Sequence, residues 1–95
     1  MSYVLSFDAR DDISEIWGYI AGDNITAADK VLSAIETACA RLAKQPQIGH
    51  LRPDLTDKPV RFYLVYSYLI VYRPETTPLE IARVLSGYRD LTTIL

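Results

Sequence analysis

Few side chains in this sequence could move a proton, hold a metal or attack an electrophile, and they are scattered. The single histidine, His50, sits in a loop punctuated by Pro46, Gly49 and Pro53, with no second His and no Cys beside it. Metal ligation and acid–base catalysis both need convergent partners, so His50 reads as a loop residue rather than a ligand. The single cysteine, Cys39, falls on an apolar helical stripe. A reactive thiol needs exposure and neighbouring cations, so a small buried hydrophobe is expected there. Asp11, Asp12 and Glu15 form an acidic cluster that reads as a solvated helix start, because helical spacing scatters carboxylates instead of converging them. No metal and no cofactor are expected. What is left is arginine and tyrosine: Arg61, Arg73, Arg83, Tyr88 and Arg89 in the second half, with Tyr63, Tyr66, Tyr68 and Tyr72 among them. These residue types are enriched where interfaces concentrate their binding energy. Arg61 and Arg83 have two readings, pairing with Glu80 or Asp90 across strands or contact with a partner. Arg89-Asp90 reads as a local ion pair. The tyrosines read as strand packing with hydroxyls at the edge, the alternative being a face on which bases stack.

The charge distribution narrows the partners. Met1–Ala40 carries seven acids against two bases, and Arg41–Leu95 eight bases against five acids, for a net charge of −2. Nucleic-acid binders draw most of their affinity from neutralising phosphates, which needs a strong basic excess that this chain lacks. Its modestly basic second half suits an acidic protein partner better. With 95 residues, one domain spanning 1–95 is expected. The longest apolar runs fall far short of a membrane span, and the N-terminus lacks the basic segment and apolar run of a signal peptide. A lone cysteine forms no internal disulfide, so a reducing cytoplasm is the expected compartment.

The elements that must position these residues follow from periodicity. Tyr3–Phe7 reads as a short strand, with Asp8 as N-cap of a helix whose stripe is Ile13, Ile16, Trp17 and Ile20. Gly22-Asp23-Asn24 stops it. A second helix is expected from Thr26, whose spacing to Asp29 resembles a capping box; its stripe is Ala28, Val31, Leu32, Ile35, Cys39 and Leu42. Pro46 ends it. Gln47–Pro59 reads as a loop, and Val60–Tyr66, Tyr68–Arg73 and Leu79–Ser86 as strands, with turns near Ser67 and over Pro74–Pro78. The order β-α-α-β-β-β predicts an α+β domain, a helical hairpin packed on one face of a mostly antiparallel sheet. Arg83 lies in an almost continuous apolar run, so alternation does not assign it a face.

Four local patterns, in order, resemble the ParE branch of the RelE/ParE toxin superfamily. Asp12-Ile13-Ser14-Glu15-Ile16-Trp17-Gly18-Tyr19-Ile20 resembles the first-helix pattern, and Pro46-Gln47-Ile48-Gly49 resembles the Pro-x-x-Gly exit from the second helix. Val60–Tyr63 with Leu69–Arg73 resembles the central strands. Ile81-Ala82-Arg83-Val84-Leu85-Ser86-Gly87-Tyr88-Arg89-Asp90-Leu91 resembles the closing segment, except that Ser86 stands where many relatives carry His.

The resemblance implies a toxin of a type II toxin–antitoxin system, held in check by a ParD-like antitoxin whose C-terminal segment folds on it. ParE-type members poison DNA gyrase by binding; RelE-type members cut messenger RNA on the ribosome. RNA cutting needs proton donors and acceptors together with cations for the phosphorane. With Ser86 in place of His and a negative total charge, the binding class is expected, with ribosome-dependent RNA cleavage as the alternative. A non-toxic interaction domain of the same fold is a third reading. The expected gyrase contacts are Arg61, Arg83, Tyr88 and Arg89. The expected antitoxin contacts are Tyr19, Arg73 and Trp17, although Trp17 also reads as core from its place on the stripe.

Overall fold

The first helix begins before its acidic cluster, in a computed structural model that describes residues 2–86. Strand β1 covers Tyr3–Leu5 and helix α1 covers Phe7–Ala21. Between them Ser6 is extended, and its Oγ accepts from the Ala9 N–H at 3.0 Å. The same hydroxyl donates to the Ala82 carbonyl at 2.7 Å. One side chain therefore caps the helix and fastens its start to the far end of the chain. The expected strand over Tyr3–Phe7 accordingly stops at Leu5, and Asp8 lies in the first turn rather than at the cap. A hydroxyl can accept from the helix and donate to the sheet at once; an ionised carboxylate cannot.

Helix α2 covers Ile25–Lys44 and is capped by Asn24, whose Oδ1 accepts from the Ala27 N–H at 2.9 Å. Asn24 is as good a cap as any residue type, so the helix starts there rather than at Thr26. Asp29 is thereby released from the expected capping box. It accepts instead from the Trp17 indole N–H at 2.9 Å, which pins the two helices across their seam. Gln45 closes α2 immediately before Pro46, as proline requires.

Strands β2 (Arg61–Val65), β3 (Tyr68–Arg73) and β4 (Leu79–Ser86) complete a four-stranded mixed sheet in the order β1-β4-β3-β2. The pairs β2–β3 and β3–β4 are antiparallel, while β1 runs parallel to β4 through Tyr3↔Leu79, Val4↔Glu80 and Leu5↔Ile81. The helical hairpin covers one face. There Ile35, Cys39, Leu42 and Ala38 of α2 meet Ile70, Tyr72, Leu79, Ile81 and Val84, all buried. Each large aliphatic so buried contributes about 1.5–3 kcal/mol of transfer free energy. The α1 stripe of Ile13, Ile16, Trp17 and Ile20 is only half-buried, since α1 packs along the β4 margin of the sheet. The other face carries a second cluster of Val60, Phe62, Val71 and Leu85, against which Leu55 and Leu69 pack. Leu55 belongs to the long loop, which thus covers part of the sheet rather than merely linking elements.

A bulge decides which way β4 presents its residues. Tyr72 faces Ile81 and Val71 faces Arg83, so Ala82 has no opposite number. Leu79, Ile81 and Val84 therefore join the helix-side core, while Leu85 joins the second cluster and Arg83 is in register with Val71.

Candidate functional site

The most constrained polar group in the described chain is built on Asp12. Beyond Leu5, β1 ends and one edge of β4 loses its partner strand. Helix α1 takes over that edge with side chains. Ser6 holds Ala82, and Asp12 Oδ2 accepts the Val84 backbone N–H at 2.9 Å. Arg83, beside it on the strand, reaches the same carboxylate with two bonds, Nε to Oδ2 at 2.8 Å and Nη2 to Oδ1 at 2.9 Å. The two side chains are 26% and 12% exposed. Hydrogen bonding to Asp12 raises the Arg83 guanidinium above its ordinary range, so Arg83 is a permanent cation held by two charge-assisted bonds. Asp12 is thus not the solvated helix-start residue that its cluster suggests. Its acidity serves the sheet edge.

The second arginine expected at the target contact, Arg61, lies at the opposite side of the sheet on β2 and donates from Nη1 to the Gly49 carbonyl at 2.9 Å. Gly49 is held again from the core. The Tyr72 hydroxyl donates to the Pro46 carbonyl at 2.7 Å and accepts from the Gly49 N–H at 2.9 Å. A Cβ at residue 49 would overlap the Tyr72 ring, 2.7 Å from Cε1, which explains why the exit from α2 needs glycine. Burial raises the Tyr72 phenol above its ordinary range. Its hydroxyl is an internal strut and not an edge group as expected. Tyr63, Tyr66 and Tyr68 remain half-buried or exposed.

The other anticipated residues are placed as follows. Arg73 pairs with Glu80 directly across β3 and β4, Nε to Oε1 at 2.6 Å, in a half-exposed bridge of the kind that adds little stability. Trp17 is half-buried and tied to Asp29, whereas Tyr19, two residues further and on another face, is 87% exposed. Tyr88 and Arg89, with the Arg89-Asp90 pair, lie outside the described residues. Cys39 is buried, and burial pushes its thiol up to about 12, consistent with the expected inert hydrophobe. His50 is exposed, and its backbone bridges to Phe62 on the outer edge of β2. Among the described residues no three His, Cys, Asp or Glu side chains converge as a metal site would require. No helix among them is long and apolar enough to cross a membrane.

Sequence reasoning missed Asp12, Ser6 and the Tyr72 strut. A signal for Asp12 was present: Asp12, Glu15, Ile16 and Tyr19 repeat at helical spacing, a second stripe beside the apolar one. That stripe lines one side of a groove of about 540 Å³ between α1 and the strand ends, floored by Tyr68 and Val84.

A helical hairpin on a four-stranded mixed sheet in β-α-α-β-β-β order is a ParE-like toxin fold. The family model of the ParE toxin of the type II toxin–antitoxin system parDE matches residues 3–91, and the chain belongs to that family. A solved structure described as a chromosomal ParDE TA system from P. aeruginosa superposes with a TM-score of 0.71 at 21% identity, covering 90% of this chain and 95% of that one. At that identity the likeness speaks for the fold alone. No curated protein sequence matches the chain significantly.

Proposed function

We propose that this ParE-family toxin acts in the cytoplasm by binding, that its target is DNA gyrase, and that a ParD-like antitoxin neutralises it. The observation that carries the binding reading is the commitment of the cations. Arg83 is locked to Asp12, Arg61 to the Gly49 carbonyl and Arg73 to Glu80, in structural contacts. General acid–base chemistry needs groups poised to exchange protons near neutrality; the charged residues described on the sheet, Arg61, Arg73, Arg83 and Glu80, are each held in a structural contact, and burial raises the Tyr72 phenol. Adhesion needs neither. Arg61, Arg83, Tyr88 and Arg89 are the target contacts on this reading, with Tyr19, Trp17 and Arg73 on the antitoxin side. Arg73 and Arg83 act there through the parts of their side chains that their ion pairs leave exposed, 42% and 26%.

The test is supercoiling by purified gyrase with the toxin added. Loss of supercoiling with accumulation of cleaved DNA is expected, and the ParD-like protein should restore activity. Undiminished supercoiling, together with specific RNA cuts in a translation extract, would put the RNA-cleaving reading in its place. Normal growth at verified soluble expression would favour a non-toxic interaction domain.

A further inference from the structure

Asp8, Asp12 and Glu15 fall at spacings of four and three on α1, so one face of the helix turns three carboxylates towards β4. Asp12 grips Arg83 side-on, through Nε and Nη2, and Asp8 and Glu15 act on the same guanidinium through space. Arg10, the one base of α1, stands two residues from Asp8 and from Asp12 and does not share their face. Nη1 of Arg83 makes no hydrogen bond among the described residues, and the side chain keeps 26% exposure. The outer edge of the fork is therefore open, but it stands in a negative field. Arg61, across the sheet, differs, for its described contact is an uncharged carbonyl.

We propose that Asp12 is a specificity-determining residue, which with Asp8 and Glu15 keeps nucleic-acid phosphate off Arg83 and reserves its outer edge for an uncharged acceptor on a protein target. The inference rests on the reading that this toxin acts by binding protein, and it names the residues that separate that outcome from RNA recognition. An arginine without an acidic partner is a good phosphate ligand, since its fork matches two oxyanion oxygens. Behind the fork of Arg83 stands a carboxylate. A phosphate arriving at the outer edge is attracted by the guanidinium and repelled by Asp12, and at such short range the two forces largely offset one another. Asp8 and Glu15 turn the sum towards repulsion, because screening acts only beyond a Debye length of about 8 Å at physiological salt. A peptide carbonyl carries no net charge and escapes this penalty. The two bonds to Asp12 meanwhile hold the fork still, which lowers the cost of ordering it in an interface. Discrimination thus comes from like charge placed against the wrong ligand.

The test compares binding of a short fluorescein-labelled oligouridylate by full-length toxin variants. Fluorescence anisotropy is read across a salt series, at a temperature where circular dichroism shows each variant folded. Asp12→Asn keeps an acceptor for Val84 and should bind about fivefold to tenfold tighter than wild type at low salt. Its plot of log K against log salt should be steeper by about 0.7, the signature of one added phosphate contact on a single strand. Arg83→Met in that background should abolish the gain. Asp8→Asn with Glu15→Gln leaves the fork alone and alters only exposed side chains. That protein should bind about twofold tighter, again only while Arg83 is present. No tightening in either variant overturns the proposal. So does a gain that survives Arg83→Met, because net charge alone would then explain it. Should Asp12→Asn fail to fold, the Asp8→Asn/Glu15→Gln protein decides by the same criterion. Supercoiling by gyrase with the wild-type toxin, run in parallel, keeps the two readings apart. Inhibited supercoiling with unchanged oligouridylate affinity in the variants sinks the role of Asp12 and leaves the binding reading standing. Undiminished supercoiling, with tight binding and cleavage of the oligouridylate by the wild type, ends both.

Discussion

Replacing Asp12 by alanine removes three hydrogen bonds at one stroke and should unfold the toxin at a much lower temperature. The magnitude follows from what is stranded. Arg83 is 26% exposed, so water recovers much of its solvation. The loss of two charge-assisted bonds is then about 1 kcal/mol after screening. The Val84 N–H belongs to a residue that is almost fully buried, and leaving it unpaired costs about 1–2 kcal/mol more. The sum is about 2–3 kcal/mol, which lowers the midpoint of a domain of this size by about 10–20 °C. Asp12→Asn keeps an acceptor for Val84 and should lose about half as much. Arg83→Met leaves the Asp12–Val84 bond in place, so the double variant should cost less than the sum of the singles by about 1 kcal/mol. Thermal and urea unfolding followed by far-ultraviolet circular dichroism reads the four variants against the wild type. A midpoint for Asp12→Ala within about 3 °C of wild type, or strict additivity with Arg83→Met, would refute the idea that α1 completes the sheet edge through this carboxylate.

Two other outcomes follow from the core. Gly49→Ala pushes a methyl into the Tyr72 ring, so a loss of about 1–3 kcal/mol is expected by urea denaturation. Removing the ring in a Tyr72→Leu background should relieve that clash, and an undiminished penalty there would contradict the strut. Cys39, with its thiol raised from 9.0 to about 12, binds its proton more tightly folded than unfolded. Its contribution is therefore whole below pH 9 and is lost as pH rises towards 12. Urea midpoints should fall over that alkaline window less steeply in Cys39→Ala than in wild type. Equal slopes would count against the burial argument.

How much of this was legible beforehand depends on whether a residue acts locally or at a distance. The element order, the bounds of β3 and β4, the α2 stripe and the buried Cys39 all follow from short-range periodicity, and each was readable. The caps were harder, because Ser6 and Asn24 compete with Asp8 and Thr26 on nearly equal local terms, and Ser6 prevails through a tertiary bond to Ala82. The face of Arg83 was unreadable for a different reason. One unpaired residue, Ala82, shifts the alternation of everything after it. Asp12 looked like helix-start decoration since three acids stand together in sequence, and which of them meets β4 is settled only when the helix is laid along the strand.

The partnership of α1 with β4 also sets a schedule for synthesis. Asp12 and Arg83 are separated by 71 positions, and β1 pairs with the last described strand. At about 5–20 residues per second, the ribosome adds the second member of that pair roughly 4–14 seconds after the first. From the completion of α2 until β4 is made, a nascent chain holds a helical hairpin without the strand that α1 packs along, and a first strand with nothing to lie against. A translating cell therefore makes the finished shape of this toxin late and nearly all at once.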